Sequence, residues 1–239
     1  MATRYLGIDV QLLRPPAWMV LDECLTQVDS GWLGEVGDSF GGMCQGAMAV
    51  VDRLEQSGHD VHVGIDSPRC PLPSAREWYW DGKEKGWRPR RPAEKGRGRH
   101  CEVIVRALGL ANPQWTPSFK DSPEWMRLGY ELFSALEPEA RGSVTVHEVF
   151  PSASYAMWKD DPDAPKMRID VSQFQPGPKD MIDAAVAAMT VREYQQGRGA
   201  AVGNDGLGAI VLPKPIGEAP ASLLRWPSEM EGQIFCQNR

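Results

Sequence analysis

Residues 4–10 read RYLGIDV, an apolar run that predicts a β-strand with an acidic residue, Asp9, near its end. Residues 60–66, DVHVGID, repeat this pattern, because apolar residues alternate with small or polar ones and Asp66 falls on the side of Gly64. In open α/β sheets, ligands bind just outside the carboxyl ends of the strands. Both GID sequences therefore place a carboxylate at an expected ligand site, and each glycine leaves room for an approaching group.

The rest of the chain alternates between strand and helix patterns. Further strands are predicted over 17–22, part of 26–36, 143–150 and 209–213. Helices are predicted over 40–57, 99–108 and 122–136 and from Pro178 onward. This order predicts a single α/β domain over 1–239, with a mixed sheet covered by helices on both faces. A polar, tryptophan-rich insert or lid is expected at about 74–98.

Composition is that of an ordinary globular protein, since 42% of the 239 residues are hydrophobic and 24% are charged. No apolar run is as long as a membrane span, and the first residues lack a signal-peptide pattern. We therefore expect a soluble, cytoplasmic protein with no membrane partner. The five cysteines are scattered and form no CxxC pair, which predicts free thiols. The sequence gives no indication of oligomeric state.

Charge is distributed unevenly along a chain whose net charge is −6. Residues 83–99 contain eight basic and two acidic residues, and aromatic residues lie beside and among them. Such surfaces hold phosphates and stack bases, so we predict that this segment binds nucleic acid. The candidate substrate-binding residues here are Arg88, Arg90, Arg91 and Trp87. The alternative is a solvated, partly disordered loop.

Other acidic residues complete a candidate metal site. Glu148 lies near the end of the predicted strand 143–150, with the parity of Val144 and Val146, which leaves its orientation open. Asp183 has apolar neighbours in a helix, where a charge is costly without a partner. Asp180, one turn earlier, has a simpler explanation, because acidic residues stabilise helix N-termini. Magnesium and manganese prefer oxygen ligands, so Asp9, Asp66, Glu148 and Asp183 together predict a Mg²⁺ or Mn²⁺ site for phosphoryl chemistry.

These motifs together resemble domain-of-unknown-function family 429. The resemblance rests on GIDV, VGIDSP, the helix RHCEVIVR, the strand end HEVFP, a DA-rich helix and the closing GAIVLP, from Leu6 to about Pro213. It implies a ribonuclease H-like fold and a nuclease activity inferred from that fold. It makes Asp9, Asp66, Glu148 and Asp183 the metal-binding acids, with Arg99, Glu102 and Arg106 as accessory residues that bind the substrate. The long basic insert is a departure from the family.

The expected function is therefore metal-dependent hydrolysis of phosphodiester bonds in nucleic acid. Two alternatives remain open at this stage. One is a nucleotide-binding kinase or ATPase of the same superfamily, in which similar acids hold Mg-nucleotide. The other is a non-catalytic nucleic-acid-binding module that keeps the acids as a structural remnant. For any single aspartate, a role as a cap, turn or ion-pair residue is a further alternative.

Overall fold

The structure is a computed structural model that describes residues 2–35, 37–137, 142–173 and 177–227. Its strands are β1 (Ala2–Asp9), β2 (Ala17–Leu21), β3 (Gln27–Trp32), β4 (His59–Asp66), β5 (Trp78–Asp81), β6 (Gly86–Pro89), β7 (Val144–Val149), β8 (Ala200–Val202) and β9 (Ile210–Leu212). Its helices are α1 (Phe40–Gln56), α2 (His100–Ala107), α3 (Glu124–Leu136), α4 (Pro151–Trp158) and α5 (Pro178–Gln195). The predicted α/β class with a mixed sheet is confirmed.

Within the described residues, seven strands form one sheet in the order β3-β2-β1-β4-β7-β9-β8. The first three strands are antiparallel neighbours, as expected for strands joined by short turns. The central strands β1, β4, β7 and β9 run parallel, so their carboxyl ends meet at one edge of the sheet. The edge strand β8 returns antiparallel to β9.

Each face of the sheet packs against a different set of helices. On one face, Leu6 and Ile8 of β1 and Ile65 of β4 belong to a buried cluster that also contains residues of α1 and α3. On the opposite face, Tyr5 of β1 shares a cluster with the alanines of α5. Alternation along each strand therefore decides which helix a side chain meets.

The two GID glycines bring α5 against the sheet. A Cβ atom added to Gly7 would lie 1.8 Å from the Ala184 carbonyl oxygen and 2.6 Å from the Ala188 nitrogen. A Cβ at Gly64 would lie 2.9 Å from the Ala187 oxygen. The space that the glycines leave is therefore filled by the helix backbone, and the expectation that it serves an approaching ligand is wrong. Close packing of α5 in turn brings its own polar residues near the strand ends.

Replacing Gly7 by Ala is expected to lower the free energy of unfolding by about 3 kcal/mol or more, because the new methyl group must displace helix backbone. The matched control is Gly46→Ala in α1, where the added Cβ would be in ordinary contact, 3.7 Å from Leu33. That change should be neutral or stabilising by up to about 1 kcal/mol. Denaturant titration of both variants checks this, and equal effects would contradict it.

The segment predicted as a lid is partly regular structure. Its strands β5 and β6 pair antiparallel, with Trp80 opposite Trp87. Both rings pack against a third buried cluster that includes residues of α2, β8 and β9. The segment is therefore anchored to the domain at this hairpin. Sequence reasoning also missed α4 and β8, which are short.

No helix in the described part of the chain is long and apolar enough to cross a membrane. The cysteines at positions 24, 44, 70 and 101 are free thiols, and Cys236 lies outside the described residues.

Candidate active site

Asp9 and Asp66 lie side by side at the carboxyl ends of β1 and β4, where they are register partners. Neighbouring strands are about 4.8 Å apart, so the two residues are adjacent. Both share the parity of the glycines that contact α5, and both therefore face that helix. No described residue donates a hydrogen bond to either carboxylate. This pair is the structural basis of the candidate site.

The environment of the pair opposes its negative charge. Burial, together with the charges of Asp183 and Asp180, raises the pKa of Asp9 to about 7. Burial and the charge of Asp9 also raise the pKa of Asp66 well above its usual value. Lys179 and Arg14 act in the opposite direction on Asp9 but are weaker. The ionised pair consequently needs a proton or a cation to become stable.

Stability in the absence of divalent ions should therefore fall as pH rises from about 4 to about 7. The folded state keeps the Asp9 proton in this window, whereas the unfolded chain has already lost it, so unfolding releases protons and becomes easier as pH increases. The loss is at most about 4 kcal/mol for a shift of this size. Denaturant titration in EDTA at pH 5 and pH 8 should show a smaller loss for Asp9→Asn than for the wild type. Equal losses would contradict the expectation.

Asp183 lies on the first turns of α5 and is only 7% exposed. It accepts a hydrogen bond from the Tyr155 hydroxyl at 2.7 Å and forms an ion pair with Lys179, four residues earlier. Asp180, in the first turn of the same helix, instead forms an ion pair with Arg14 at 2.6 Å. The charge of Asp183 raises the pKa of both Asp9 and Asp66, so this residue lies close to the pair. Asp180 raises the pKa of Asp9 and has the helix-start position that its sequence context predicts.

Glu148 occupies a different environment. On β7, Val149 approaches Gly64 on the α5 side of the sheet, so Glu148 lies on the opposite side from Asp66. Its carboxylate accepts two hydrogen bonds from Arg99, one of them at 2.7 Å, and a third from the Arg69 backbone at 2.9 Å. The sequence left its orientation open. The structure places it in an ion pair with Arg99, on the opposite side of the sheet from Asp66 but close enough for its charge to raise the pKa of Asp66.

Arg99, Glu102 and Glu148 form a buried charge network. Arg99 is the N-cap of α2 and is 0% exposed. It donates to Glu102 at 3.1 and 3.2 Å as well as to Glu148. Glu102 also accepts from the Thr116 backbone nitrogen at 3.0 Å. Burial raises the pKa of Glu102, against the opposing effect of Arg99. Arg99 and Glu102 therefore satisfy internal partners, namely each other and Glu148.

A cleft of about 730 Å³ opens at these strand ends. We call it the Asp66 cleft, because Asp66 lies in its wall together with Glu148, Glu102 and Arg99. Trp125 and Leu13 contribute apolar surface, and the Leu13 side chain is 90% exposed. The cleft is thus lined by both charged and apolar side chains.

The predicted substrate-binding residues of the basic segment differ in availability. Arg88 is bound by Glu94 through both terminal nitrogens. Trp87 packs against Trp80, His100 and Trp226, with ring centroids 5.2–5.6 Å apart, and its indole nitrogen donates to Ser222. The exposed members of the set are Arg90, Arg91 and Arg106.

No three His, Cys, Asp or Glu side chains within the described ranges form a group that could hold a metal ion as they stand. The two aspartates at the strand ends are adjacent, but Asp183 is occupied by Tyr155 and Lys179. A pair of carboxylates is nevertheless sufficient for magnesium, which commonly binds one or two of them and keeps several waters.

Tyr155 and Lys179 are site residues that the sequence reasoning missed. Lys179 had a signal, because it lies four residues before Asp183 on a predicted helix. Tyr155 had none, since α4 was not predicted and its contact with Asp183 spans 28 residues.

Comparisons of this chain with protein-family models, curated proteins and solved structures found no match.

Proposed function

We propose that this protein hydrolyses phosphodiester bonds in nucleic acid with the help of Mg²⁺ or Mn²⁺. The observation that carries the proposal is the Asp9 and Asp66 pair, two register partners at adjacent strand ends that accept no hydrogen bond from described residues. Two carboxylates with raised pKa values, side by side at strand ends where Asp66 lines a cleft, are costly unless a cation joins them.

The topology supports the same proposal. The strands β2 and β3 extend the sheet antiparallel on one side of β1, while β4 and β7 continue it in parallel on the other side. This arrangement is consistent with the ribonuclease H-like fold that the resemblance to family 429 implies. In both GID sequences the acid follows a glycine that is needed for helix packing, so the fold itself positions the pair.

The residues present fit a hard divalent ion. Asp9 and Asp66 would hold it, with Asp183 as the nearest further carboxylate, and their oxygen atoms are the donors that Mg²⁺ and Mn²⁺ prefer. When bound, the ion supplies Lewis acidity toward a phosphate oxygen and makes water a better nucleophile at neutral pH.

The surrounding side chains have supporting tasks in this proposal. Tyr155 and Lys179 hold the Asp183 carboxylate through a hydrogen bond and an ion pair, and the exposed Lys179 ammonium can also accompany a phosphate group. Arg99 neutralises Glu148 and Glu102, so that the wall of the Asp66 cleft keeps its shape without a bound metal ion. We therefore assign Glu148 to positioning of the wall and not to the ion.

The test is incubation of the purified protein with single- and double-stranded DNA and RNA in Mn²⁺ or Mg²⁺. We expect cutting of at least one substrate, and its loss in EDTA. Failure to cut any of them in either metal would contradict the proposal. Thermal stabilisation by Mg-ATP but not by nucleic acid would instead favour the nucleotide-binding alternative.

One observation favours the non-catalytic alternative, namely that Lys179 and Tyr155 already engage Asp183. A structural remnant would bind no Mn²⁺ at the two strand-end aspartates. Titration with Mn²⁺ therefore distinguishes a remnant from an enzyme. In an enzyme, the wild type should bind Mn²⁺, and the Asp9→Asn and Asp66→Asn variants should lose that binding.

A further inference from the structure

A second cleft, of about 690 Å³, borders the Asp66 cleft at Gln114, which lines both. We call it the Arg76 cleft. Its basic side chains are Arg76, Lys95, Arg97 and Arg106, and Tyr79 and Trp115 are among its aromatic ones. Two acidic residues, Glu94 and Asp121, also line it. The cleft thus combines positive charge with aromatic surface.

Arg76 is the unusual residue of this cleft. It is only 8% exposed, yet its Nε and Nη1 atoms have no hydrogen-bond partner among the described residues. Its guanidinium lies 4.2 Å from the centre of the Tyr79 ring and 5.3 Å from that of Trp115. Ring contacts offset part of the cost of burying a cation, but they leave Nε and Nη1 unsatisfied. The guanidinium therefore has donor capacity that no described residue uses.

The backbone holds Arg76 in place without using these donors. The Arg76 nitrogen donates to the Gly96 oxygen at 2.7 Å, and the Gly98 nitrogen donates to the Thr116 oxygen at 2.8 Å. Gly98 has a φ of +96°, and a Cβ there would lie 2.4 Å from the Trp115 ring. Only glycine allows the chain to pass this closely, so the ring and the guanidinium are set together by the fold.

The acidic residues of the cleft have their own partners. Glu94 is bound by Arg88 and by the Arg91 backbone nitrogen, and Asp121 accepts from Ser118. Lys95, Arg97 and Arg106 are exposed and make no ion pair within the part of the chain that the structure describes. The available charge in the cleft is therefore positive.

We propose that the Arg76 cleft binds a phosphate group of a nucleic-acid strand. Arg76 and Arg106 would contact the phosphate, and Trp115 would contact a neighbouring base. Guanidinium groups beside aromatic rings are suited to this combination of a charged backbone and a planar base. The assignment of the strand as the substrate rests on the proposed nuclease function, whereas binding of the strand at this cleft does not. A strand that crosses from one cleft to the other would pass Gln114.

The test measures binding of a fluorescent single-stranded DNA of about 12 nucleotides in EDTA, so that metal-dependent cutting cannot occur. We expect Arg76→Gln to weaken binding about tenfold and Arg106→Gln several-fold. Each change should also reduce the slope of log K against log salt by roughly 0.7, the value for one lost phosphate contact on a single strand. A purely structural role would leave that slope unchanged.

The control is Arg168→Gln, which removes the same charge from an exposed position outside both clefts and should bind like the wild type. If Arg76→Gln does not fold, Arg106→Gln decides alone, because its side chain is exposed. Unchanged affinity and salt slope in these variants would overturn the inference, as would equal weakening by Arg168→Gln or no binding by the wild type. Binding of AMP as tight as that of the oligonucleotide would overturn the assignment to a strand. If the wild type cuts no substrate but the Asp66→Asn variant still binds the oligonucleotide, the strand-binding role of the Arg76 cleft is supported and the nuclease proposal fails.

Discussion

Replacing Asp66 by Asn is expected to reduce metal-dependent cutting by about 10³-fold or more, which corresponds to roughly 4 kcal/mol of transition-state stabilisation. Asn keeps the shape of the side chain but cannot provide the charge that a divalent ion needs. The change should leave the fold intact or stabilise it, because it removes repulsion between Asp66 and Asp9. Initial rates with the best substrate in saturating Mn²⁺, together with thermal melting, give both values.

The matched control for this experiment is Asp60→Asn. Asp60 lies at the opposite end of β4 and belongs to neither cleft. The Asp60→Asn change removes the same charge from the same strand but far from the Asp9 and Asp66 pair. The cutting rate of this variant should therefore stay close to that of the wild type. Comparable rates for Asp66→Asn and the wild type would contradict the role of the pair.

Replacing Arg99 by Met is expected to lower the free energy of unfolding by about 3–5 kcal/mol. The loss is large because one fully buried guanidinium neutralises both Glu102 and Glu148, and its removal leaves two buried carboxylates without a cation. Arg99→Lys should recover little, since an ammonium cannot reproduce the forked hydrogen bonds. Denaturant titration near pH 7 measures each variant.

A second substitution identifies the cause of that loss. Adding Glu148→Gln to Arg99→Met should restore part of the lost stability, because it removes one of the unpaired charges. The control Arg168→Met, at an exposed position, should change stability by less than about 0.5 kcal/mol. A loss below about 1 kcal/mol in Arg99→Met, or no recovery in the double variant, would count against a buried charge network.

Sequence reasoning was strongest where local pattern and tertiary structure agree. Alternation in DVHVGID predicted β4 and the side of Asp66, and the repeat in β1 predicted the same for Asp9. The sequence also singled out the two glycines, but as space for a ligand, whereas they provide space for the backbone of α5. The contact of Gly7 with Ala184 joins residues 177 positions apart, and no local pattern reveals such a contact.

The remaining differences have separate physical causes. Glu148 has the strand parity of Val144 and Val146, which pack on the face of the sheet opposite α5. Its predicted metal role rested on the set of four carboxylates and on the family resemblance, not on this parity. The hairpin of β5 and β6 had a readable signal, since WYWDGKEKGW contains a glycine-bearing turn between aromatic runs. Arg76 had no signal at all, because only burial distinguishes it from the other arginines of its segment.

The most direct measurement is a crystal structure of the protein soaked in Mn²⁺, with anomalous scattering used to locate the ion. We expect a manganese peak bound by the carboxylates of Asp9 and Asp66, near Asp183, and its loss in Asp9→Asn. Absence of a peak between Asp9 and Asp66 at millimolar Mn²⁺, or the same peak in the Asp9→Asn variant, would contradict the proposal that this pair is a metal site.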